Sequence, residues 1–558
     1  MRRRRAGLQG GVIAAAAVWT LAAWLLGTPV TSTETPDRAA HTEVVGVIHV
    51  HTDESDGYQD VPGTITAAQE AELDFVVITD HNTLGAKRFE GYADRLLLMV
   101  GTEISTDTGH ILGLGFDEPT YRFPHSVLDV LRDISDLGGT ALVAHPTSPR
   151  AELRWGDASA PGGWGIEVLN ADTQWRSASR LSVLLSILAY PFSQDYALSR
   201  LLTRPSALSW WDELLRRRHT AGVAAADTHT RVPSYASMFR VARNHVLLDR
   251  PLTGDTESDM ASIITALSLG RLFVGIDGIA PTRGFFFVAE RDSRTWTMGE
   301  TVSPSPALTL RAGGIQEDEA AFTLLKDGEV VTHALGALEA TAADTGVYRV
   351  EVSLPGWDIP WITTNPIYLF DRSAIHRRDA NSALPPRPGP VAPTVYLDGF
   401  DEGAVFFPAS DSASSVTLET DEVVDGRQTA RVAYRLGARS ADNPSPYVAV
   451  ANVEHRDLSS HEGLVVTLKA DGVYRLWLQL RDRNPRSSEQ TEWWSASLKA
   501  TERWQQLAVP FGLLSSKDPD TDGQLDLDEI EGIFLIIDVD SVPENTAGTL
   551  WLDEVALY

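Results

Sequence analysis

Cysteine is absent from the whole chain of 558 residues. Disulfide bonds, thiolate nucleophiles, cysteine-ligated metals and a cysteine-linked lipid anchor are therefore excluded, and any metal site must use histidine and carboxylate ligands. Basic residues are also scarce, because 47 lysines and arginines face 76 acids and give a net charge of −29. Such an acidic chain is not expected to present a nucleic-acid-binding surface.

Charge is missing locally from residues 6–30, which follow the run "RRRR" at residues 2–5. Basic residues before a long apolar run are typical of an export signal or a membrane anchor. We expect residues 1–40 to be such a segment, lying in or passing through a membrane, and favour an anchor over a cleaved signal. The positive-inside rule then predicts an extracytoplasmic protein, whether periplasmic, secreted or anchored.

Short apolar runs alternate with amphipathic stretches between residues 44 and 275. The runs are "VVGVIHVHT", "LDFVVITDHN", "RLLLMVGTEIST", "HILGLGF", "TALVAHP", "GIEVLNAD" and "GVAAADTH". Strands that alternate with helices indicate an α/β arrangement, and seven of them suggest closure into a barrel whose chemistry lies at the strand ends. We assign residues 41–283 to this domain.

The later chain changes to the two-residue period of β-structure. Residues 284–372 are predicted to form a small β-sandwich, residues 373–394 a Pro-rich linker, and residues 395–558 a β jelly roll. Within the first domain, an insert at residues 174–219 has a helical pattern rich in aromatics. We expect these helices to pack on the barrel, with an apolar patch or lid at "LAYPF" and "SALSWW" as the alternative.

Histidines and acids gather where the predicted strands end. In a strand, residues i and i+2 share a face, so His49 and His51 can reach one ion. Imidazole and carboxylate ligands suit Zn²⁺, Mn²⁺ or Fe²⁺. Asp80 is a candidate partner for orienting an imidazole, whereas Asp53, Glu54 and Asp60 are expected to be solvated. The candidate metal ligands are His49, His51, Asp56, His81, Glu103, His110, His145, Asp227 and His229.

Six short motifs resemble the metal-binding motifs of the polymerase and histidinol phosphatase (PHP) superfamily. They are "HVHTDESDG", "ITDHN", "GTEIS", "GHILGLG", "AHP" and "ADTH", in that order. The resemblance covers about residues 44 to 275. It implies a distorted (β/α)7 barrel that holds two or three divalent ions, followed here by an immunoglobulin-like sandwich and the jelly roll.

The same resemblance implies how the ligands divide among the ions. One ion would take His49, His51, Glu103 and Asp227, and a second would share Glu103 and add His110 and His145. A third would take Asp56, His81 and His229. Glu103, Asp227 and His145 would be the catalytic residues.

Three divalent ions against three carboxylates leave a positive site, which favours an anionic phosphate ester and hydrolysis by a metal-bridging hydroxide. We expect a small-molecule ester as substrate. The first alternative is a carboxyl-ester or carbamate hydrolase on the same metals. The second is a surface glycan-binding protein in which the barrel is secondary.

The last domain has a sandwich-like strand pattern and contains "WQQLAVPF" and the closing "GTLWLDEVALY". In these features it resembles the galactose-binding-type jelly rolls of carbohydrate-binding modules and of complex I intermediate-associated proteins. Trp493, Trp494 and Trp504 could stack on a sugar or lie in the core. The segment "DPDTDGQLDLDE" has the spacing of a calcium-binding loop but lacks the preceding helix of an EF-hand. Calcium at Asp518, Asp520, Asp522, Asp526 and Glu529 and a solvated acidic turn both stay open.

Overall fold

The computed structural model describes residues 41–157, 160–400 and 404–558. The predicted export or anchor segment at residues 1–40 lies outside them. Two compact units are present: one comprises residues 41–117 and 125–385, the other residues 118–124 and 386–558. Among the described residues, no helix combines the length and apolar character that crossing a bilayer requires.

The first unit is a mixed α/β fold, as the alternating pattern predicts. Its first eleven strands are β1 (Thr42–Val50), β2 (Phe75–Ile78), β3 (Gly91–Ala93), β4 (Leu96–Val100), β5 (Thr102–Thr106), β6 (Gly109–Leu114), β7 (Thr140–Val143), β8 (Gly165–Asn170), β9 (Gly222–Thr228), β10 (Arg243–Leu248) and β11 (Leu272–Gly275). The helices among them are α1 (Val61–Glu70), α2 (Val127–Asp136), α3 (Ala171–Ser177), α4 (Arg180–Ala189), α5 (Gln194–Ser199), α6 (Ala207–Arg217), α7 (Tyr235–Phe239) and α8 (Thr256–Leu269). The third predicted run divides at Gly101 into β4 and β5.

Six neighbouring strands run parallel, in the order β4, β2, β1, β9, β8 and β7. Parallel strands place their carboxyl ends along one edge, which is where the predicted ligands follow β1, β2, β7 and β9. The antiparallel hairpin β5–β6 continues the sheet from β7. A bridge between His81 and Glu103 joins the end of β2 to β5.

The helical insert contributes buried aromatic residues to this unit. Trp211 of "SALSWW" is fully buried, and α6 is fixed by two hydrogen bonds of 2.7 Å from the Arg349 guanidinium to Asp212. The buried Arg349 guanidinium has a second carboxylate partner, since it also lies 2.7 Å from Glu351. The "LAYPF" part lies at the end of α4, whose apolar side chains are exposed.

The residues predicted as a β-sandwich complete the first unit. Their elements are β12 (Phe286–Arg291), β13 (Arg294–Thr297), β14 (Thr301–Val302), β15 (Thr309–Gly313), β16 (Ala321–Lys326), β17 (Glu329–Leu335), β18 (Leu338–Thr341), β19 (Gly346–Ser353), β20 (Ile362–Thr364), β21 (Ile367–Leu369) and α9 (Arg372–Ser382). Strands β13, β12, β15 and β18 form a separate sheet. Strand β20 pairs antiparallel with β11, so the remaining strands extend the sheet of the α/β part.

The first half of the predicted linker is helical. Asp371 precedes helix α9 and caps it, because its side chain accepts a hydrogen bond from the Ala374 N–H at 2.8 Å. Arg378 donates to the carbonyls of Leu215 and Arg218 at the end of α6, at 2.7 and 2.8 Å. These contacts explain why a stretch without hydrophobic periodicity is ordered.

The second unit is a sandwich of two mainly antiparallel sheets. Its strands are β22 (Val395–Asp398), β23 (Phe407–Ser410), β24 (Ser415–Val424), β25 (Arg427–Arg435), β26 (Tyr447–Asn452), β27 (Gly463–Ala470), β28 (Tyr474–Arg483), β29 (Thr491–Ala500), β30 (Gln505–Pro510), β31 (Ser515–Ser516), β32 (Gly532–Asp538) and β33 (Ala547–Leu557). One sheet has the order β24-β25-β33-β27-β30 with β22 beside β33, and the other β23-β26-β32-β28-β29-β31. Alternate residues of both sheets fill one core, which also contains Tyr121.

A buried charge network lies on β10, away from the predicted ligands. His245 is fully buried, with its Nδ1 atom 2.6 Å from Glu43 and its Nε2 atom 2.9 Å from the Thr282 hydroxyl and 3.4 Å from Asp277. Arg243 lies 3.4 Å from Asp277. Burial alone would lower the pKa of His245, but Asp277 and Glu43 outweigh it and raise that pKa to about 9. The pKa of Asp277 is lowered, since its own burial is outweighed by His245 and Arg243.

Replacing His245 with glutamine is expected to destabilise the first unit most at mildly acidic pH. A histidine pKa raised from its ordinary 6.5 to about 9 stabilises the fold fully below pH 6.5 and ceases to do so above pH 9. The stability difference between wild type and variant should shrink by about 3 kcal/mol from pH 6 to pH 10. Urea unfolding at both pH values measures it, and a difference independent of pH would contradict the charge contribution.

Candidate metal centre

The nine predicted ligands lie together at the carboxyl edge of the parallel strands. His49 and Asp227 are the last residues but one of β1 and β9. The other residues of the set that come from these strand ends lie in the loops that follow strands: His51, Asp56, His81, His145 and His229. Glu103 and His110 come from the hairpin β5–β6. Candidate groups of ligand atoms within 4.8 Å of one another are His51, Asp56, His81 and His229; His49, His51 and Glu103; and His81, Glu103 and His110.

Glu103 is the centre of this cluster and is almost completely buried. Its Oε1 atom lies 2.7 Å from His110 Nδ1 and 2.8 Å from His145 Nε2. Its Oε2 atom lies 3.1 Å from the Nε2 atoms of both His49 and His51, and 3.4 Å from His81 Nδ1. One carboxylate therefore faces five imidazoles, with its two oxygens turned to different sets, as a ligand shared by two ions would be.

Asp227 and Asp56 complete the two sides of the cluster. Asp227 Oδ1 lies 3.5 Å from His49 Nε2 and from His229 Nδ1. Asp56 Oδ1 lies 3.5 Å from His51 Nδ1 and from His229 Nε2. The Asp56 side chain is 56% exposed, whereas His49 and His51 are 0% exposed. The cluster is therefore shielded from solvent at His49 and His51 and open to solvent at Asp56.

The backbone is strained at three of the ligands. His49, His145 and Asp227 have φ values of 61°, 29° and 48°, in a region that residues with a side chain seldom adopt. Irregular pairing interrupts β1 next to His49. Strain of this kind persists where the surroundings fix it, and it concentrates at functional sites. At His49 and Asp227 it interrupts the regular alternation of the strand.

Glu167 on β8 is a site residue that the sequence reasoning missed. It is buried, and its Oε1 atom lies 2.6 Å from His49 Nδ1. Its Oε2 atom accepts hydrogen bonds from the His145 N–H at 2.6 Å and from the Asn170 amide at 2.8 Å. Asn170 also donates to Asp227 at 3.0 Å. A carboxylate placed to accept from His49 Nδ1 leaves Nε2 free to bind a metal. An acid inside the apolar run "GIEVLN" was the available signal.

Asp80 has a different role from the one expected, whereas Asp60 is exposed as expected and also caps a helix. Asp80 accepts hydrogen bonds from the Thr52 N–H at 2.7 Å and from the hydroxyls of Thr52 and Ser55 at 2.6 Å, so it fixes the loop that carries Asp56. Asp60, expected to be solvated, caps α1 by accepting from the Gly63 N–H at 2.8 Å.

The electrostatics of the metal-free cluster follow from burial and mutual attraction. Burial alone would lower the pKa of His49, but Asp227, Glu103 and Glu167 outweigh it and raise that pKa. Burial would likewise lower the pKa of His145, yet its bond to Glu103 raises it to about 9. The pKa of Glu103 is held well below its ordinary value, because the surrounding histidines, led by His49, outweigh its burial.

The donor set fits divalent metal ions. Both ring nitrogens of His51 are buried and face carboxylates, but neither makes a hydrogen bond. The ring nitrogens of a buried imidazole are normally hydrogen-bonded when no metal is bound. The surrounding ligand atoms are nitrogen and carboxylate oxygen, which suit Zn²⁺, Mn²⁺ and Fe²⁺. Seven of the nine predicted ligands belong to these candidate metal-binding groups, whereas ligand roles for His145 and Asp227 stay predictions.

The acids of the predicted calcium loop make local contacts. Asp518 accepts from the Trp493 N–H at 2.9 Å, and Asp522 accepts from the Gln524 N–H at 2.9 Å. Asp526 accepts from the Gln524 amide at 2.8 Å, and Glu529 lies 3.9 Å from Arg483. The carbonyl of Asp520 accepts from Asn484 at 3.0 Å. Among the described residues, the groups that could hold a metal do not include these acids, and calcium there stays a prediction.

The three tryptophans of the second unit occupy different places. Trp494 is buried in the core, and Trp504 donates to Asp425 at 3.0 Å beside the sheet that contains β30. Trp493 is half-buried on the opposite side of β29 from Trp494, with its ring 4.8 Å from that of Phe534.

No protein-family model and no curated protein matches the sequence. Similar solved structures include a two-domain protein of Bacteroides vulgatus that contains a predicted PHP-like metal-dependent phosphoesterase, at 15% identity and a TM-score of 0.32, covering 61% of this chain and 99% of that one. A family 11 carbohydrate-binding module of Clostridium thermocellum, in complex with a β-1,3-1,4-mixed-linked tetrasaccharide, is similar at 19% identity and a TM-score of 0.24, covering 29% of this chain and 94% of that one. A family 30 module of a cellulosomal cellulase from the same organism is similar at 12% identity and a TM-score of 0.21, covering 28% and 91% of the two chains. At these values, none of them says what this chain binds or does.

Proposed function

We propose that the chain is an extracytoplasmic, metal-dependent phosphoesterase of the PHP superfamily, with the α/β part closed into a distorted barrel. The observation that carries this proposal is a buried carboxylate, Glu103, whose oxygens face five imidazoles within 3.4 Å. The motif order and the export-type residues 1–40 support the superfamily and the location. Two or three divalent ions held here would supply Lewis acidity and a nucleophilic water near neutral pH.

The chain's own residues determine the direction from which a substrate approaches. Exposure rises from His49 and His51, at 0%, to His229 at 21%, His81 at 26% and Asp56 at 56%. The substrate therefore enters at Asp56, His81 and His229, while Glu103 holds the ligands behind it. Three divalent ions outweigh the charge of the three ligand carboxylates and of Glu167, so they leave the entrance positive, and a phosphate ester is favoured over a neutral ester.

Three esters of one phenol distinguish the phosphoesterase from a carboxyl-ester hydrolase on the same metals. We expect the metal-replete chain to hydrolyse p-nitrophenyl phosphate or bis(p-nitrophenyl) phosphate, and to hydrolyse p-nitrophenyl acetate far less. Chelation should abolish the reaction, and Zn²⁺, Mn²⁺ or Fe²⁺ should restore it. Fewer than two tightly bound metals per chain would contradict the metal centre, and preferred cleavage of the acetate would favour the alternative.

Glycan binding by the second unit is a second candidate function, favoured by one sheet face. On β28, Leu476, Leu478 and Leu480 are buried, so Trp477, Gln479 and Arg481 point away from the core. Strand pairing sets Arg481 beside Trp493 and Gln479 beside Phe534. Trp477 donates to Asp538 at 3.0 Å, and the Arg481 guanidinium lies 5.5 Å from the rings of both Trp493 and Phe534. Aromatic faces with adjacent polar groups suit a sugar ring.

This second function is tested on a glycan array with the full chain. Trp477→Ala should abolish binding, whereas Trp504→Ala, a half-buried tryptophan beside the other sheet, should retain it. Glu103→Ala should leave glycan binding unchanged because it belongs to the first unit. Absence of binding by the wild type to every glycan would remove this function without affecting the phosphoesterase.

A further inference from the structure

Helix α4 exposes apolar side chains and buries a polar one, which is the reverse of an ordinary surface helix. Its hydroxyl residue Ser186 is buried and donates to the Ala197 carbonyl of α5 at 2.7 Å. The apolar side chains point outward instead, and they form a continuous surface on α4 and the turn after it. Its members, with their exposed fractions, are Leu181 (65%), Val183 (36%), Leu184 (53%), Leu185 (54%), Ile187 (63%), Leu188 (49%) and Phe192 (48%). Single exposed apolar residues need no explanation, but a contiguous patch marks an interaction surface.

The charges around this surface are unusual for so acidic a chain. Residues 181–194 contain no charged residue, whereas the chain as a whole has a net charge of −29. The first helical residue, Arg180, is exposed, and the preceding Arg176 is exposed but paired with Asp172. Tyr190 and Phe192 follow the helix, and Trp175 precedes it. An apolar helix face bordered by arginine and aromatic residues is the pattern of a helix that lies in a membrane interface.

Chain connectivity favours the same partner. Residues 6–30 are uncharged and follow four arginines, which predicts a membrane anchor, and strand β1 begins at Thr42. The eleven residues 31–41 can span at most about 40 Å, whereas a unit of this size has a radius of gyration of about 20 Å. A chain held by such an anchor keeps its first unit within reach of the bilayer.

We propose that α4 and the turn to Phe192 dock into the outer surface of the lipid bilayer to which residues 1–40 attach the chain. A second copy of the chain is disfavoured as the partner, because it would bring another net charge of −29 against this unit. A zwitterionic lipid surface carries no net charge and so has no such repulsion, and the exposed Arg180 would pair with a headgroup phosphate. This docking holds the first unit at the membrane and does not depend on which ester the metal centre cleaves.

The absence of cysteine allows a direct test with single labels. The full chain carrying Leu184→Cys, labelled with an NBD fluorophore, is reconstituted in vesicles of phosphatidylcholine and phosphatidylglycerol that contain a doxyl-labelled lipid. The matched control is Val330→Cys on β17, because Val330 is 55% exposed and Leu184 53%. We expect a blue-shifted emission and at least twofold stronger doxyl quenching at position 184 than at position 330.

Two outcomes would overturn the proposal. Equal quenching at the two positions would show that α4 does not contact lipid. A blue shift at position 184 that persists without lipid and grows with protein concentration would identify a second copy as the partner. Adding Ile187→Ser and Leu188→Ser, which change only exposed side chains, should reduce quenching at position 184 while the thermal unfolding temperature stays unchanged.

Discussion

Glu103→Gln is expected to release two metal ions per chain and to reduce phosphoesterase activity by well over the roughly 10–100-fold that loss of an outer hydrogen-bond partner causes. The carboxylate offers an oxygen to each of two sets of imidazoles, with contacts of 2.7–2.8 Å on one side and 3.1–3.4 Å on the other. A glutamine has nearly the same shape but only one acceptor oxygen. Its amide group would present N–H donors to ring nitrogens that need to bind metal.

Metal analysis of the purified variant and its rate with p-nitrophenyl phosphate measure these effects. Asp53→Asn is the matched control, because Asp53 is an exposed acid of the loop after β1 with no ligand role. His229→Ala should lose a single equivalent of metal, since His229 lies at the open side with Asp56. If Glu103→Gln and His229→Ala lose the same amount of metal, the sharing of Glu103 between ions is wrong.

Glu167→Gln should weaken metal binding by about 10–100-fold although Glu167 is not a ligand. Glu167 connects two ligands, since it contacts the His49 ring at 2.6 Å and the His145 N–H at 2.6 Å. An amide in its place can donate to His49 Nδ1 instead of accepting from it, which would move the ring proton to the metal-binding Nε2 atom.

Competition with a chromogenic chelator measures this affinity independently of activity. Glu213→Gln, an exposed acid on α6 of the same unit, provides the control. Thermal unfolding of the metal-free variant separates a loss of affinity from a loss of fold. Unchanged affinity in a folded Glu167→Gln chain would contradict the orienting role.

The sequence was informative where chemistry conflicts with packing. Histidines in "VIHVHT" and an acid in "GTEIS" occupy places where an apolar side chain would pack better, so their positions at strand ends predict a metal-binding role. Glu167 presents the same conflict in "GIEVLN", but its partner His49 lies 118 residues away, and no local pattern reveals that contact. The role of Asp80 differed for a similar reason, because its partners Thr52 and Ser55 belong to another loop.

The remaining differences arise from non-local pairing. The continuity of one sheet through β11 and β20 depends on Phe273 meeting Thr364, which no periodicity encodes. Helix α9 is stabilised by carbonyl groups of α6, so its own composition predicts a linker. Residues 174–219 were correctly interpreted as helical, yet which face of α4 is exposed depends on Ser186 finding the Ala197 carbonyl.

The short segment at residues 118–124 determines where the chain can be cut into fragments that each contain a complete unit. It belongs to the second unit, where Tyr121 is 4% exposed within the core, the Thr120 hydroxyl donates to the Val473 carbonyl, and the Arg122 N–H donates to the Ser541 carbonyl at 2.9 Å. A fragment that begins at residue 386 therefore lacks one of its own core side chains, and a fragment that ends at residue 385 carries a segment foreign to its fold. A single cut in the chain therefore cannot separate the two units with both of them complete.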